Sequence, residues 1–261
     1  MKKSMFLTLL IMLLLIASCN HGTKEIQENS SVSENSEGAG SNTSQYKEQV
    51  LLIIAEDRSG STKNQRKLTS EKYQQIFNKF NERYCGEIDV IIIGNPSPED
   101  REFYPLIIEC PSKLNSIPKK ALLTEKARIK KENEKILNEN KKLIQINKKK
   151  IDKFIQDIIQ PKIINYKPYQ GKDVTDIITF LEHLNKKINE PTYKNYNQIM
   201  VVIISDGIHD AFQTKKPFRF KCNPKLQLNL IGWKDKTIFE NCNIEEFESI
   251  DGFIHYFSKN Q

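Results

Sequence analysis

The stretch Val50-Leu51-Leu52-Ile53-Ile54-Ala55-Glu56-Asp57-Arg58-Ser59-Gly60-Ser61 decides how this chain reads. The unbroken apolar run Val50–Ile54 fits a strand buried on both faces, the kind found inside a parallel sheet. Its polar end, Asp57-x-Ser59-x-Ser61, sets one carboxylate and two hydroxyls on one tight loop. Oxygen donors alone, with little charge among them, are what a hard divalent cation such as Mg²⁺ selects.

Working outward, apolar periodicity alternates between strands and helices. Ser70–Tyr84 carries Tyr73, Ile76, Phe77 and Phe80 at helical spacing. Glu87–Ile93 reads as a second strand, stopped by Gly94-Asn95-Pro96, and Phe103–Glu109 as a third, closed by Cys110-Pro111. Asp176–Lys187 is an amphipathic helix, Ile199–Ile204 and Leu226–Ile231 are strands, and Ile244–Phe257 reads as a terminal helix. Such alternation implies a parallel sheet wrapped by helices.

Two later segments complete the first. Gly171-Lys172-Asp173-Val174-Thr175-Asp176 opens a helix with a Thr, and Ile203-Ile204-Ser205-Asp206-Gly207 ends a strand with an Asp. In this order and setting the three pieces resemble the metal-ion-dependent adhesion site of von Willebrand factor A (VWA) domains. The resemblance implies a doubly wound, mostly parallel α/β sheet of the VWA or Rossmann-like kind, in strand order 3-2-1-4-5-6. Ligands of such sheets bind beyond the carboxyl ends of the strands, where the order reverses. Strands one and four meet there, so Asp57 and Asp206 converge, and Thr175 joins them. The implied ligand set is Asp57, Ser59, Ser61, Thr175 and Asp206, holding Mg²⁺, with Mn²⁺ and Ca²⁺ as alternatives. A partner's Asp or Glu carboxylate then takes an open position on the metal. Two departures stand out. Glu56 occupies a position that is apolar in the family, so the strand either ends there or brings extra charge to the site. The glycine pair that usually precedes the Thr is absent, with Gly171 four residues upstream.

Between strand three and Thr175 the chain also departs from the family pattern. From about 118 to 160 it holds no Gly and no internal Pro, and Ile129, Ile136 and Leu143 are seven apart. This predicts a long helical insertion, up to roughly 60 Å if continuous. Asn133, Asn140 and Asn147 fall on or beside its apolar stripe. Three arrangements stay open: one helix packed on the body, a helical hairpin, or a coiled-coil stalk that self-associates, in which Asn would set the register.

The formal net charge of +7 is local, because residues 119–153 hold thirteen Lys/Arg and five Asp/Glu. A basic balance spread over the whole chain would have pointed to nucleic acid. Confined to one element, it reads as a solvated helix face or as a surface for anionic lipid or envelope polymer.

The amino terminus reads as a processing signal. Lys2 and Lys3 precede an apolar stretch, Met5–Ile16, too short to span a bilayer comfortably, and Ile16-Ala17-Ser18-Cys19 resembles a bacterial lipobox. The reading is a signal peptide over 1–19, with Cys19 lipidated by diacylation (palmitate among the acyl chains), and a Ser-, Asn- and Glu-rich tether over 20–46. Such a tether reaches about 25–30 Å by flexible-chain statistics. About 215 residues, 47–261, remain for one domain. The expected location is the bacterial cell envelope, lipid-anchored, at the outer membrane.

Setting Cys19 aside leaves Cys85, Cys110, Cys222 and Cys242, an even count that suggests disulfides with three connectivities open. In VWA-like sheets strands two and three form an antiparallel hairpin. The resemblance therefore implies Cys85 with Cys110, leaving Cys222 to Cys242. The four histidines are scattered, and no cysteine pair has zinc-ligand spacing.

The function expected is a non-catalytic, envelope-tethered module that binds a protein partner through a metal-held carboxylate. No nucleophile–base pair has motif spacing, and Ser59 stands where an aspartyl phosphatase would need a second Asp. The alternatives are a scaffold assembled through the basic helix, with self-association through 118–160, and a metal-dependent hydrolase. Nucleic acid is not an expected partner.

Overall fold

Strands apolar on both faces and helices apolar on one build a three-layer α/β structure. A computed structural model of the chain describes residues 47–59, 67–94, 102–168, 175–208, 218–234 and 236–259. Cys19, Ser61, Gly171 and the segment expected as signal and tether lie outside these residues.

In chain order the elements are β1 (Glu48–Asp57), α1 (Ser70–Arg83), β2 (Tyr84–Ile93), β3 (Tyr104–Ile108) and α2 (Leu123–Phe154). There follow α3 (Ile177–Ile188), β4 (Gln198–Ile204), β5 (Phe220–Lys221), β6 (Leu226–Ile231), β7 (Phe239–Glu240), β8 (Asn243–Phe247) and α4 (Ile250–Lys259). Six strands form one sheet in the order β3-β2-β1-β4-β6-β8. Only β3 runs antiparallel, against β2, and the other pairs are parallel. Counted along the chain within this sheet, the order is 3-2-1-4-5-6, with its reversal between β1 and β4. Pro105 sits in β3 at the sheet edge, where its missing N–H is tolerated.

Alternation along each strand feeds two cores. Val50, Leu52 and Ile54 face α1, α4 and the C-terminal end of α2, whereas Leu51, Ile53 and Ala55 face α3. Helices α1, α3 and α4 start where capping side chains accept backbone N–H bonds: Thr69 from Lys72 (3.4 Å), Asp176 from Thr179 (3.1 Å) and Ser249 from Gly252 (3.1 Å). Gly86, at φ +126°, lies so close to β1 that a Cβ there would come within 2.4 Å of the Val50 carbonyl oxygen.

Three sequence expectations need correction. The terminal helix does not begin at Ile244: Asn243–Phe247 is the edge strand β8, parallel to β6, and the helix starts at Ile250. A short apolar run carries too little periodicity to separate the two states. Strand one does not end at Glu56 but continues through Asp57. The long helix does not stop at Gln160, for α2 runs on as a π-helical segment, Ile155–Ile164, that contains Pro161. Proline has no N–H and crowds the preceding turn, and wider π-type turns accommodate it.

Leu123–Phe154 is a single α-helix whose Asn133, Asn140 and Asn147 are engaged within the chain. Asn147 bonds the backbone N–H and C=O of Glu109 (3.2 and 3.0 Å), and Asn140 those of Ser112 (2.9 and 2.9 Å). Asn133 does the same with Asn115 (2.8 and 2.9 Å). The chain leaving β3 therefore runs back along α2, antiparallel to it.

The cysteines pair as Cys85–Cys110 and Cys222–Cys242, with Cα separations of 4.9 and 5.1 Å. The first bridge closes the β2–β3 hairpin, in which Gly86 lies opposite Ile108. The second follows a short parallel pair, β5 with β7, whose two-residue strands leave no periodic signal in the sequence. Among the described residues no helix is long and apolar enough to cross a membrane.

Candidate metal site

The site lies where β1 and β4 end side by side. Glu56 is level with Ile204, so the next residues of the two strands, Asp57 and Ser205, come opposite each other. The Ser205 hydroxyl donates to Asp57 Oδ2 (2.9 Å), and the Ser59 backbone N–H donates to Asp57 Oδ1 (2.9 Å). Asp57, Ser59, Ser205 and Asp206 are all buried. Asp206 follows in the β4 turn, where its Oδ1 accepts from the Ile208 N–H (3.0 Å) and Ser205 Oγ accepts from the Gly207 N–H (3.2 Å). Gly207, at φ +76°, lets the chain turn there, and a Cβ on it would meet the Trp233 ring at 3.0 Å.

The structure thus brings Asp57, Ser59 and Asp206 to one edge of the sheet. Thr175 is buried and directly precedes Asp176, the cap of α3. Ser61 lies outside the described residues. Ser205, which lies outside the implied ligand set, is a further member of this edge. Its signal is legible in the sequence: it is the first polar residue after the apolar run that forms β4, the strand parallel to the one ending at Asp57.

Glu56 does not add charge to this edge, because strand alternation turns it to the other face of the sheet. There it accepts from Tyr73 Oη (2.6 Å), the Leu68 N–H (2.7 Å) and Arg58 (2.9 Å). Arg58 also donates to the Leu68 carbonyl (2.8 Å). Burial pushes the Glu56 carboxyl above its usual range, against the pull of Arg58, Tyr73 and Leu68, and raises Tyr73 as well. This network ties Arg58, just after β1, to Leu68, just before α1.

Oxygen donors only, two carboxylates with hydroxyls between them, fit a small hard cation better than a soft one. Among the described residues no three His, Cys, Asp or Glu side chains cluster as a metal site, so a cation here would depend on hydroxyl and water oxygens. Beside the site a cleft of about 10 Å³ is lined by Ile91, Ile92, Gly94, Asp176, Thr179, Phe180 and His183. It has room for about one water molecule.

A second polar cluster sits on β2. Lys187 pairs with Asp89 (2.9 Å) and Glu87 (3.7 Å), and Tyr193 and Tyr196 donate to Glu87 (3.2 and 3.3 Å). The Lys187 ammonium lies over the rings of Phe103 (4.5 Å) and Tyr193 (4.9 Å). Burial pushes the Asp89 carboxyl up to about 7, with Lys187 opposing it.

Compared with protein-family models and with curated proteins, the chain matches none.

Proposed function

We propose that this chain is a VWA-like, non-catalytic binding module with a long helical insertion, and that it captures a protein partner through a divalent cation at the β1–β4 edge. One observation carries the reading. Asp57 and the Ser205-Asp206 turn meet beyond the carboxyl ends of adjacent parallel strands, at the reversal of strand order, joined by the 2.9 Å bond from Ser205 to Asp57. That is where open parallel sheets bind ligands. Asp57, Ser59, Thr175 and Asp206, with Ser61, would hold Mg²⁺ (or Mn²⁺ or Ca²⁺), and Ser205 positions Asp57. The cation would supply an electrophilic centre for an Asp or Glu of the partner. Cys19 would anchor the module by lipid to the bacterial envelope, at the outer membrane.

Calorimetry with Mg²⁺ and Mn²⁺ tests the site. Asp57→Ala and Asp206→Ala should each abolish binding while the far-UV spectrum stays native. Wild-type heats in both variants would overturn the reading.

A further inference from the structure

The long helix α2 reaches well past the sheet. Of its residues only Ile151 and Phe154, near its C-terminal end, belong to the core beside α1. From Asn147, which meets the end of the β2–β3 hairpin, the helix extends back to Leu123, roughly 36 Å at 1.5 Å per residue. The segment 109–115 accompanies it, held by Asn147, Asn140 and Asn133. Together they form an arm whose far end is the turn 117–123.

That turn carries the two most exposed large apolar side chains among the described residues, Leu122 at 74% and Leu123 at 84%. Ile117, also at the turn, is 39% exposed. Residues 117–131 hold six cations (Lys119, Lys120, Lys126, Arg128, Lys130 and Lys131) and one carboxylate, Glu125. Arg128 is ion-paired with Glu132 (2.6 Å), so the lysines carry the surplus.

Two adjacent leucines at the end of a narrow arm cannot approach the 1,000 Å² or so that a stable protein interface needs. The same small apolar area suffices at a bilayer surface when cations add attraction to anionic headgroups. We propose that the tip, Ile117 to Leu123 with its flanking lysines, inserts into the headgroup region of an anionic bilayer. The proposal uses neither the metal site nor the anchor expected at Cys19.

Tryptophan placed at the tip tests it directly. The full-length chain carrying Leu122→Trp is reconstituted into phosphatidylcholine vesicles with or without phosphatidylglycerol, some with brominated acyl chains. Wild type, whose single Trp233 is buried, supplies the background. The L122W emission should shift to the blue and be quenched by brominated chains in the anionic vesicles only. Adding Lys119→Gln and Lys120→Gln should raise the concentration of anionic vesicle lipid needed for half-quenching about 25-fold, about fivefold per lysine. Leu123→Trp serves as a second probe, and an unchanged far-UV spectrum certifies each variant. Absence of tip quenching while the chain floats with anionic vesicles would overturn the proposal, as membrane attachment would then lie elsewhere. Equal quenching in both vesicle types, or quenching indifferent to the lysines, would overturn it too.

Discussion

Neighbouring acids on β1 meet opposite environments because successive side chains of a strand point to opposite faces. Asp57 faces the edge shared with Ser205, and Glu56 faces α1, where it is the counter-ion of Arg58. Arg58 is itself almost fully buried, at 8% side-chain exposure. Glu56→Ala would therefore leave a buried guanidinium without its carboxylate, and should cost about 3–5 kcal/mol by urea unfolding. A loss under 1 kcal/mol would show that water replaces the carboxylate readily. Asp89 offers a pH-dependent counterpart. Its carboxyl is raised from 3.8 to about 7, first by burial, against Lys187 and with Glu87 adding to the rise. An acid that holds its proton more tightly when folded adds stability that is full below its unfolded value and lost as pH rises through the folded one. Between about pH 4 and 7 this group should withdraw on the order of 3 kcal/mol. Asp89→Asn should flatten that part of the stability–pH curve, and parallel curves for variant and wild type would contradict the assignment.

At the scale of elements, the unusual feature is the Asn ladder. One heptad of α-helix rises about 10.5 Å, and three residues of nearly extended chain cover about the same distance. Asn residues seven apart on α2 therefore meet every third residue of the segment leaving β3. Each offers one acceptor and one donor to a backbone N–H and C=O, as a neighbouring strand would. Asn140→Ala should expose the Ser112 amide to hydrogen exchange while leaving the sheet amides protected. The expected cost is about 1–2 kcal/mol for two bonds near solvent. Retained protection at Ser112 would mean that packing, not the ladder, holds the segment. In the sequence these Asn residues suggested coiled-coil register as one arrangement, because an Asn on an apolar stripe looks the same whichever partner it meets.

For the molecule as a whole, one disulfide closes the β2–β3 edge of the six-stranded sheet and the other follows the separate β5–β7 pair. Cys85–Cys110 closes 25 residues of chain, which in the loop-entropy picture stabilises by about 3 kcal/mol. The Cys85→Ala/Cys110→Ala double variant should unfold at a correspondingly lower urea concentration, with the Cys222–Cys242 peptide still recovered on non-reducing mapping. A midpoint equal to wild type would show that the hairpin's own ladder suffices.

The sequence by itself determined the α/β alternation, the strands buried on both faces and the position of Asp57, Thr175 and Asp206 at element ends. Those features are local, because apolar period and the residues that stop it act over a few positions. Only the tertiary structure decided that Glu56 turns away from the site, that Ser205 holds Asp57, and that Asn133, Asn140 and Asn147 clasp their own chain. It also decided that Asn243–Phe247 is a strand: a five-residue run beside β6 is settled by the open edge that receives it. Each of these depends on which partner, far away in sequence, the fold brings to a side chain. A lone residue type does not encode that choice.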